Sequence, residues 1–143
     1  MGDWPIIITL PGPPRGKGRP RFVRATGRTY TPAATASYEG QLKFAAQRVM
    51  GNRPPFDIAL DVLFVAVFPV PSSWSKKKQA AALAGEIRPT TKPDADNIIK
   101  VSDALNEVVW KDDKSIVEAT IQKFYGRRPR LTIEVMPISE ASQ

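Results

Sequence analysis

The segment from Ile58 to Val70 constrains the fold of this chain more than any other. It contains the longest apolar run, Val62 to Val70, which is too short to cross a membrane and has the length of a buried strand. Apolar residues fall on both faces of this strand, which favours a central position in a sheet that is covered on both sides. The sequence therefore predicts a globular protein organised around one central strand.

Other strands and helices are predicted from hydrophobic periodicity and from the residues that end each segment. In chain order they are a strand at Ile6–Leu10, a helix from Thr31–Pro32 to about Met50, a Lys- and Ala-rich helix within residues 72–84 that starts near Ser73 or Ser75, a helix at Asn97–Trp110, and strands at Ser115–Tyr125 and Arg130–Met136. The last two strands are expected to form a hairpin around Gly126–Pro129. This order predicts an α+β (mixed α/β) fold, with helices packed against a mixed sheet.

Each of the two longer helices is expected to bury one face. In the first helix this face consists of Tyr38, Leu42, Ala45, Ala46 and Val49, and in the later one of Ile98, Val101, Leu105 and Val108. No internal repeat or domain boundary interrupts residues 1–143. We therefore expect a single domain, with a basic Gly- and Pro-rich arm at residues 12–30 and a tail at 137–143. Within the arm, residues 22–30 predict a small hairpin.

The chain contains neither cysteine nor histidine. Disulfides, thiol catalysis and thiolate zinc sites are therefore excluded, and so are the Ser-His-Asp triad and imidazole-based nuclease sites. Any hydrolytic chemistry has to use oxygen ligands, lysine or water. The sequence opens with no basic and apolar leader, so we expect a cytoplasmic, nucleoid-associated protein with no membrane partner.

The formal net charge is +7, which favours a polyanionic partner. The cations in the arm that are expected to contact DNA phosphates are Arg15, Lys17, Arg19, Arg21, Arg24 and Arg28. Few aromatic residues lie between them, so duplex DNA is favoured over stacking on single strands. The alternative is a flexible, solvated arm. Further basic clusters lie at residues 76–78 and 127–130, and the first of these has no assigned role.

A cluster of acids and one lysine is the clearest candidate for a catalytic site. Asp94 and Asp96 flank one residue, so an extended backbone would point both side chains the same way. Lys100 follows Asp96 by one helical turn, and Asp112 and Asp113 follow the predicted helix. The structural alternative is that these acids are ordinary helix caps and turn residues. Asp113 joins Asp94 and Asp96 only if the helix returns it to the same end of the sheet.

Carboxylates that converge within a basic protein are typical of a divalent-metal site. Mg²⁺ prefers oxygen ligands and retains water, which can become the attacking nucleophile at phosphorus. Lys100 could hold or neutralise the scissile phosphate. The expected activity is therefore metal-dependent hydrolysis of a phosphodiester.

Five segments resemble the RusA family of Holliday junction resolvases. They are the arm segments at residues 13–22 and 28–32, the segment Lys92–Lys100 (KPDADNIIK) with Asp103–Asn106 (DALN), and Val109–Lys114 (VWKDDK). The resemblance runs in order from about residue 6 to residue 136. It implies metal-binding acids at Asp94, Asp96 and Asp113 and an essential lysine at Lys100. Asp112 is the weaker of the paired acids in this match, and Asn97 belongs to the same motif.

This resemblance also implies a homodimeric, Mg²⁺-dependent endonuclease that resolves four-way DNA junctions by paired symmetric nicks in recombination and repair. Mn²⁺ is expected to substitute for Mg²⁺, and the gene is expected to be of phage or prophage type. Two alternatives remain at this point. One is a metal-dependent nuclease for other branched or flap DNA, and the other is a non-catalytic module that binds branched DNA.

Overall fold

A computed structural model describes residues 4–18, 21–30 and 32–138. Its elements, in chain order, are β1 (Ile6–Pro11), β2 (Arg21–Val23), β3 (Arg28–Tyr30), α1 (Ala33–Met50), β4 (Leu60–Phe68), α2 (Lys76–Leu83), α3 (Ala95–Lys100), β5 (Ile116–Tyr125) and β6 (Arg130–Pro137). Short 3-10 turns lie at Val101–Leu105 and Asp113–Ser115. The predicted α+β fold is confirmed. None of the helices in the described ranges combines the length and the apolarity needed to cross a lipid bilayer.

Four strands form the main sheet, in the order β1-β6-β4-β5. β4 and β5 are parallel, whereas β6 runs antiparallel to both β1 and β4. The predicted hairpin between β5 and β6 is wrong, because β4 lies between these two strands. β4 has the most continuous apolar sequence, as expected for an inner strand. Its two edges pair with β5 and β6.

The core lies against one face of this sheet. On β4 the residues of that face, including Leu60, Val62 and Phe64, are fully buried, and they meet Ile133 and Val135 of β6. The residues on the opposite face of β4 are only half-buried from position 61 to position 65. β4 is therefore an inner strand, as predicted, but its two faces are not equally covered.

α1 packs on the core through residues spaced four apart. Tyr38, Leu42, Ala46 and Met50 are buried, whereas Val49 is 38% exposed. The prediction that Val49 belongs to the buried face is wrong, because the helix turns Met50 inward instead. Pro32 precedes the first helical residue, and the predicted cap Thr31 lies outside the described residues.

The predicted helix at Asn97–Trp110 is much shorter in the structure. α3 starts at Ala95 and passes into a 3-10 turn that stops at Leu105. The chain then reverses at Glu107, which has a φ of 70°. The indole Nε1 of buried Trp110 donates to Asn106 Oδ1 at 2.9 Å. This hydrogen bond satisfies a buried donor and stabilises the reversal that a helical pattern does not reveal.

Two further local predictions are confirmed. β2 and β3 form the small hairpin in the arm. α2 begins directly after Ser75, whose side-chain oxygen accepts from the backbone N–H of Lys78 at 3.2 Å. A serine at this position satisfies one of the free amide groups at a helix start.

Candidate active site

The start of α3 forms one wall of an acidic cleft. The residues that line the cleft are Lys17, Gly18, Asp94, Asp96, Asn97, Lys100 and Asp103. Asp94 and Asp96 are brought together by a helix start rather than by the extended backbone that the sequence suggested. Asp94 occupies the cap position of α3 but forms no capping hydrogen bond within the described chain. Its carboxylate is therefore open to a ligand.

Asp96 and Lys100 form the predicted pair one helical turn apart. Lys100 Nζ lies 3.3 Å from Asp96 Oδ2, and both side chains are mostly exposed. An ion pair of this kind adds little to stability because water screens it. The position of this ion pair is more important, because it places the ammonium group of Lys100 in the cleft beside Asp94 and Asp96.

Lys17 reaches the same cleft from the arm. Its Nζ donates to Asp103 Oδ2 at 3.0 Å and lies 3.3 Å from Glu39 Oε2. Burial alone would lower the pKa of Lys17, but its hydrogen bond to Asp103 and the nearby charge of Glu39 raise it overall. Lys17 is thus paired with two carboxylates of the protein, and its predicted contact with a DNA backbone stays a prediction.

The first part of the arm is docked on the start of α3. The backbone N–H of Lys17 donates to the Asn97 carbonyl at 2.9 Å. A Cβ at Gly16 would lie 2.6 Å from Pro93 Cβ and 3.0 Å from Asn97 Cβ. Only glycine allows this approach without displacement, so the glycine-rich sequence here produces close packing rather than a loose arm.

The other arm cations differ in their surroundings. The described side chains of Arg15, Arg24 and Arg28 are exposed. Arg19 and the side chain of Arg21 lie outside the described residues. The exposed set is compatible with phosphate contacts, and their predicted role in binding DNA stays a prediction.

Asp112 and Asp113 precede β5 and have different environments. Asp112 caps the 3-10 turn by accepting from the backbone N–H of Lys114 at 2.9 Å. This hydrogen bond is the main cause of the lowered pKa of Asp112, and a hydrogen bond with Asp113 is the next. The pKa of Asp113 is raised, first by its hydrogen bond with Asp112, then by partial burial and by its hydrogen bond with Asp103. Asp112 is thus a turn residue, as the structural alternative predicts, whereas Asp113 contacts Asp103, an acid of the cleft.

Asp103 connects the two groups of acids. It lines the cleft with Asp94 and Asp96, and it also contacts Asp113. Asp103 lies in the DALN segment but is not among the acids that the sequence predicts for the site. Its contact with Asp113 depends on the chain reversal after Leu105, for which the sequence has no periodic signal.

The acids of the cleft have the donor chemistry that Mg²⁺ prefers. Across the three described ranges, no three acidic side chains lie close enough together to form one metal-binding group. Mg²⁺ commonly retains several waters and uses only one or two protein carboxylates together with substrate phosphates. Asp94 and Asp96, which are exposed and face the same cleft, meet that requirement.

Comparisons with known proteins identify the family of this chain. Residues 11–136 match the family described as Endodeoxyribonuclease RusA, a range that contains the cleft, Asp112 and Asp113. A protein of Bacillus subtilis (strain 168) named "Uncharacterized protein YqaN" is 35% identical over an alignment of 141 positions, which spans 94% of this chain and 97% of that protein. The extent of the family match and the acids within it lead to one conclusion: this chain belongs to the RusA family of endodeoxyribonucleases.

Proposed function

We propose that this protein is a Mg²⁺-dependent Holliday junction resolvase, which cuts four-way DNA junctions by paired symmetric nicks. The observation that carries the proposal is the acidic cleft of a RusA-family chain, where Asp94, Asp96 and Lys100 lie together. Exposed carboxylates beside a lysine suit a reaction in which a metal ion and a lysine ammonium group both contact one phosphate.

In this proposal the cleft residues have separate roles. Asp94 and Asp96 would hold the metal together with water and a substrate phosphate. Asp113, which contacts Asp103, is proposed as a third ligand that joins them when the metal binds. When bound, Mg²⁺ supplies a water of lowered pKa and stabilises negative charge on phosphorus. Lys100 binds the scissile phosphate, while its pairing with Asp96 orients it along the cleft wall. Lys17 offsets the repulsion between Asp103 and Glu39. Asn97 supports the docked arm through its carbonyl oxygen.

The proposed partner is a branched duplex, bound by a homodimer. A four-way junction has two-fold symmetry, and a C₂ dimer presents one active site to each of two equivalent strands. The exposed cations Arg15, Arg24 and Arg28 would contact phosphates of the junction arms, together with Arg19 and Arg21 of the same arm sequence. This activity belongs to recombination and repair at the nucleoid, in a phage- or prophage-type setting.

The test is a cleavage assay on a labelled immobile four-way junction. We expect Mg²⁺-dependent cutting by the unaltered protein and a loss of at least about 100-fold in rate for Asp94→Asn or Asp113→Asn, because each removes charge at the metal site. The control is Glu118→Gln, which changes an exposed acid on β5 outside the cleft. Junction binding should survive in all three variants.

The same assay distinguishes the alternatives. Faster cutting of flaps or three-way branches than of four-way junctions would assign the protein to other branched DNA. If neither Mg²⁺ nor Mn²⁺ supports cutting by the unaltered protein, while junction binding is retained, the protein is a binding module. Unequal nicking of the two symmetric strands by one bound protein would contradict the paired mechanism.

A further inference from the structure

A second strongly basic region lies outside the cleft. Residues 69–92 and 123–130 contain nine lysines and arginines and a single acid, Glu86. The most exposed of these cations belong to the first turn of α2 and to the loop between β5 and β6. We call them the α2 surface, which consists of Lys76, Lys77, Lys78, Arg127 and Arg128.

The two parts of the α2 surface are adjacent in space although about fifty residues separate them in sequence. A shallow pocket is lined by Gln79 and Leu83 from α2 and by Arg127 from the loop. Trp74, just before α2, packs edge-on against Tyr125 at the end of β5, with ring centroids 5.3 Å apart. The helix and the loop therefore form one continuous surface.

The cations of the α2 surface are not neutralised by the protein itself. No carboxylate in the described part of the chain forms an ion pair with any of them. Lys78 Nζ lies 4.0 Å from the centre of the Trp74 ring, which orders the side chain without reducing its charge. A group of exposed cations without acidic partners produces a positive field that attracts a polyanion.

Hydrogen bonds connect this region to the cleft. Lys123, on β5, donates from Nζ to the carbonyl oxygens of Thr91 at 2.7 Å and Pro93 at 3.1 Å, directly before Asp94. Arg88 Nε donates to the carbonyl oxygen of Lys123 at 2.6 Å. A polyanion held on the α2 surface would therefore have a defined position relative to Asp94.

We propose that the α2 surface binds the phosphate backbone of a duplex arm of the DNA substrate, outside the cleft. This inference rests on the proposed function. Duplex is favoured over single strands because Trp74 and Tyr125 pack on each other, and Arg88 covers the ring of Phe124 at 3.9 Å. Aromatic rings already engaged in this way are poor platforms for stacking bases. The side-chain amide nitrogen of Gln79 donates to the backbone carbonyl of Trp74, so it is not free to read base edges. The exposed groups that remain on the surface are cations, which contact phosphates.

The test compares two double variants with a matched control. Lys76→Ala/Lys77→Ala and Arg127→Ala/Arg128→Ala each remove two exposed cations from the α2 surface, whereas Lys43→Ala/Arg48→Ala removes two from the exposed side of α1. Binding of a long-armed four-way junction is measured over a range of salt concentrations. Each α2-surface variant should lower the slope of log affinity against log salt by about 2, since the slope changes by about 0.9 per phosphate contact. The control should retain the slope of the unaltered protein.

Two further measurements distinguish a binding surface from a general effect. Junctions with truncated arms should bind the unaltered protein and the α2-surface variants equally, because the arm that reaches the surface is missing. Single-turnover cutting at saturating enzyme should be unchanged in both variants. An unchanged slope in the two α2-surface variants, or an equal decrease in the control, overturns the inference while the proposed function stands. Failure of the unaltered protein to cut any junction contradicts the proposed function instead, and the binding slopes still test the surface.

Discussion

Asp113 contacts two other carboxyl groups, those of Asp112 and Asp103, and both contacts help to raise its pKa. Two carboxyl groups in contact share a proton readily, because two negative charges at that distance repel each other. The raised pKa of Asp113 and the lowered pKa of Asp112 indicate that Asp113 takes the proton in its contact with Asp112. A bound cation would replace this proton, and the site is therefore sensitive to pH as well as to metal.

Substitution of Asp103 tests this coupling. Asp103→Asn removes the charge that opposes ionisation of Asp113, so the pKa of Asp113 should fall toward its ordinary value, although the hydrogen bond with Asp112 continues to raise it. Carboxyl ¹³C NMR titration measures the change, with Glu118→Gln as the control. An unchanged Asp113 titration would show that the two carboxyl groups are not coupled.

The raised pKa of Asp113 also fixes the direction of the pH dependence. Its protonated form is favoured by the folded protein, so its contribution to stability is present at low pH and is lost as pH rises through the raised pKa. Metal binding requires the ionised form and releases the proton. Mg²⁺ affinity, measured by calorimetry, should therefore rise with pH across this titration, and an affinity that is independent of pH would exclude Asp113 as a ligand.

Gly16 tests the docking of the arm on α3. Gly16→Ala places a methyl group 2.6 Å from Pro93 Cβ, so the arm has to shift and Lys17 moves relative to Asp103. We expect a loss of about 1–3 kcal/mol in the free energy of unfolding, as for other overpacked sites, and slower cleavage. Urea unfolding measures the first effect.

The matched control for this substitution is Gly40→Ala in α1. A Cβ there would have no neighbour within 4 Å, and the position lies inside a helix. This variant should be more stable by about 0.5–1 kcal/mol, because alanine loses less backbone entropy than glycine. Equal effects at Gly16 and Gly40 would mean that the arm is not docked.

At the level of the elements, the end of α3 decides where Asp112 and Asp113 lie. A helix that continued to Trp110 would carry the two acids in another direction. The chain instead reverses at Glu107, Trp110 is buried, and the backbone N–H of Lys111 donates to the Phe56 carbonyl at 3.0 Å. Tertiary burial of one indole ring thus overrides a helical pattern that extends to Trp110.

Loss of the partner of this indole should destabilise the reversal. Asn106→Ala leaves the Nε1–H of buried Trp110 without its acceptor, which should cost about 1–3 kcal/mol of unfolding free energy. Thermal or urea unfolding measures this loss. Asn52→Ala, in an exposed turn after α1, should change stability by less than about 0.5 kcal/mol. A change at Asn106 no larger than the one at Asn52 would show that the hydrogen bond does not hold the turn.

At the scale of the whole molecule, the net charge of +7 predicts DNA affinity that depends steeply on salt. With roughly 6–10 phosphate contacts, affinity should fall by about 10³–10⁵ between about 50 and 200 mM salt, because bound counterions are released when the protein neutralises phosphates. Fluorescence anisotropy with a labelled junction measures this dependence. A nearly flat titration would contradict phosphate binding by the arm and by the α2 surface.

Local patterns in the sequence were sufficient for most elements and for part of the site. Alternating and continuous apolar runs predict β1 and β4, Ser75 predicts the start of α2, and the spacing of Asp96 and Lys100 predicts their pairing. Each of these features depends on residues within one or two turns of each other. The metal chemistry proposed for the cleft also starts from the sequence, because a chain without cysteine or histidine offers a metal mainly oxygen ligands.

Only the tertiary structure decided which elements and acids meet. Neighbouring strands in a sequence pair often, so residues 115–136 resemble a hairpin, yet burial of both edges of β4 separates β5 from β6. Lys17 likewise contacts Asp103 although the two are far apart in sequence. Asp103 contacts Asp113 because the chain reverses between them. Backbone preferences act over a few residues, whereas strand order and carboxylate contacts depend on how the whole chain buries its apolar surface.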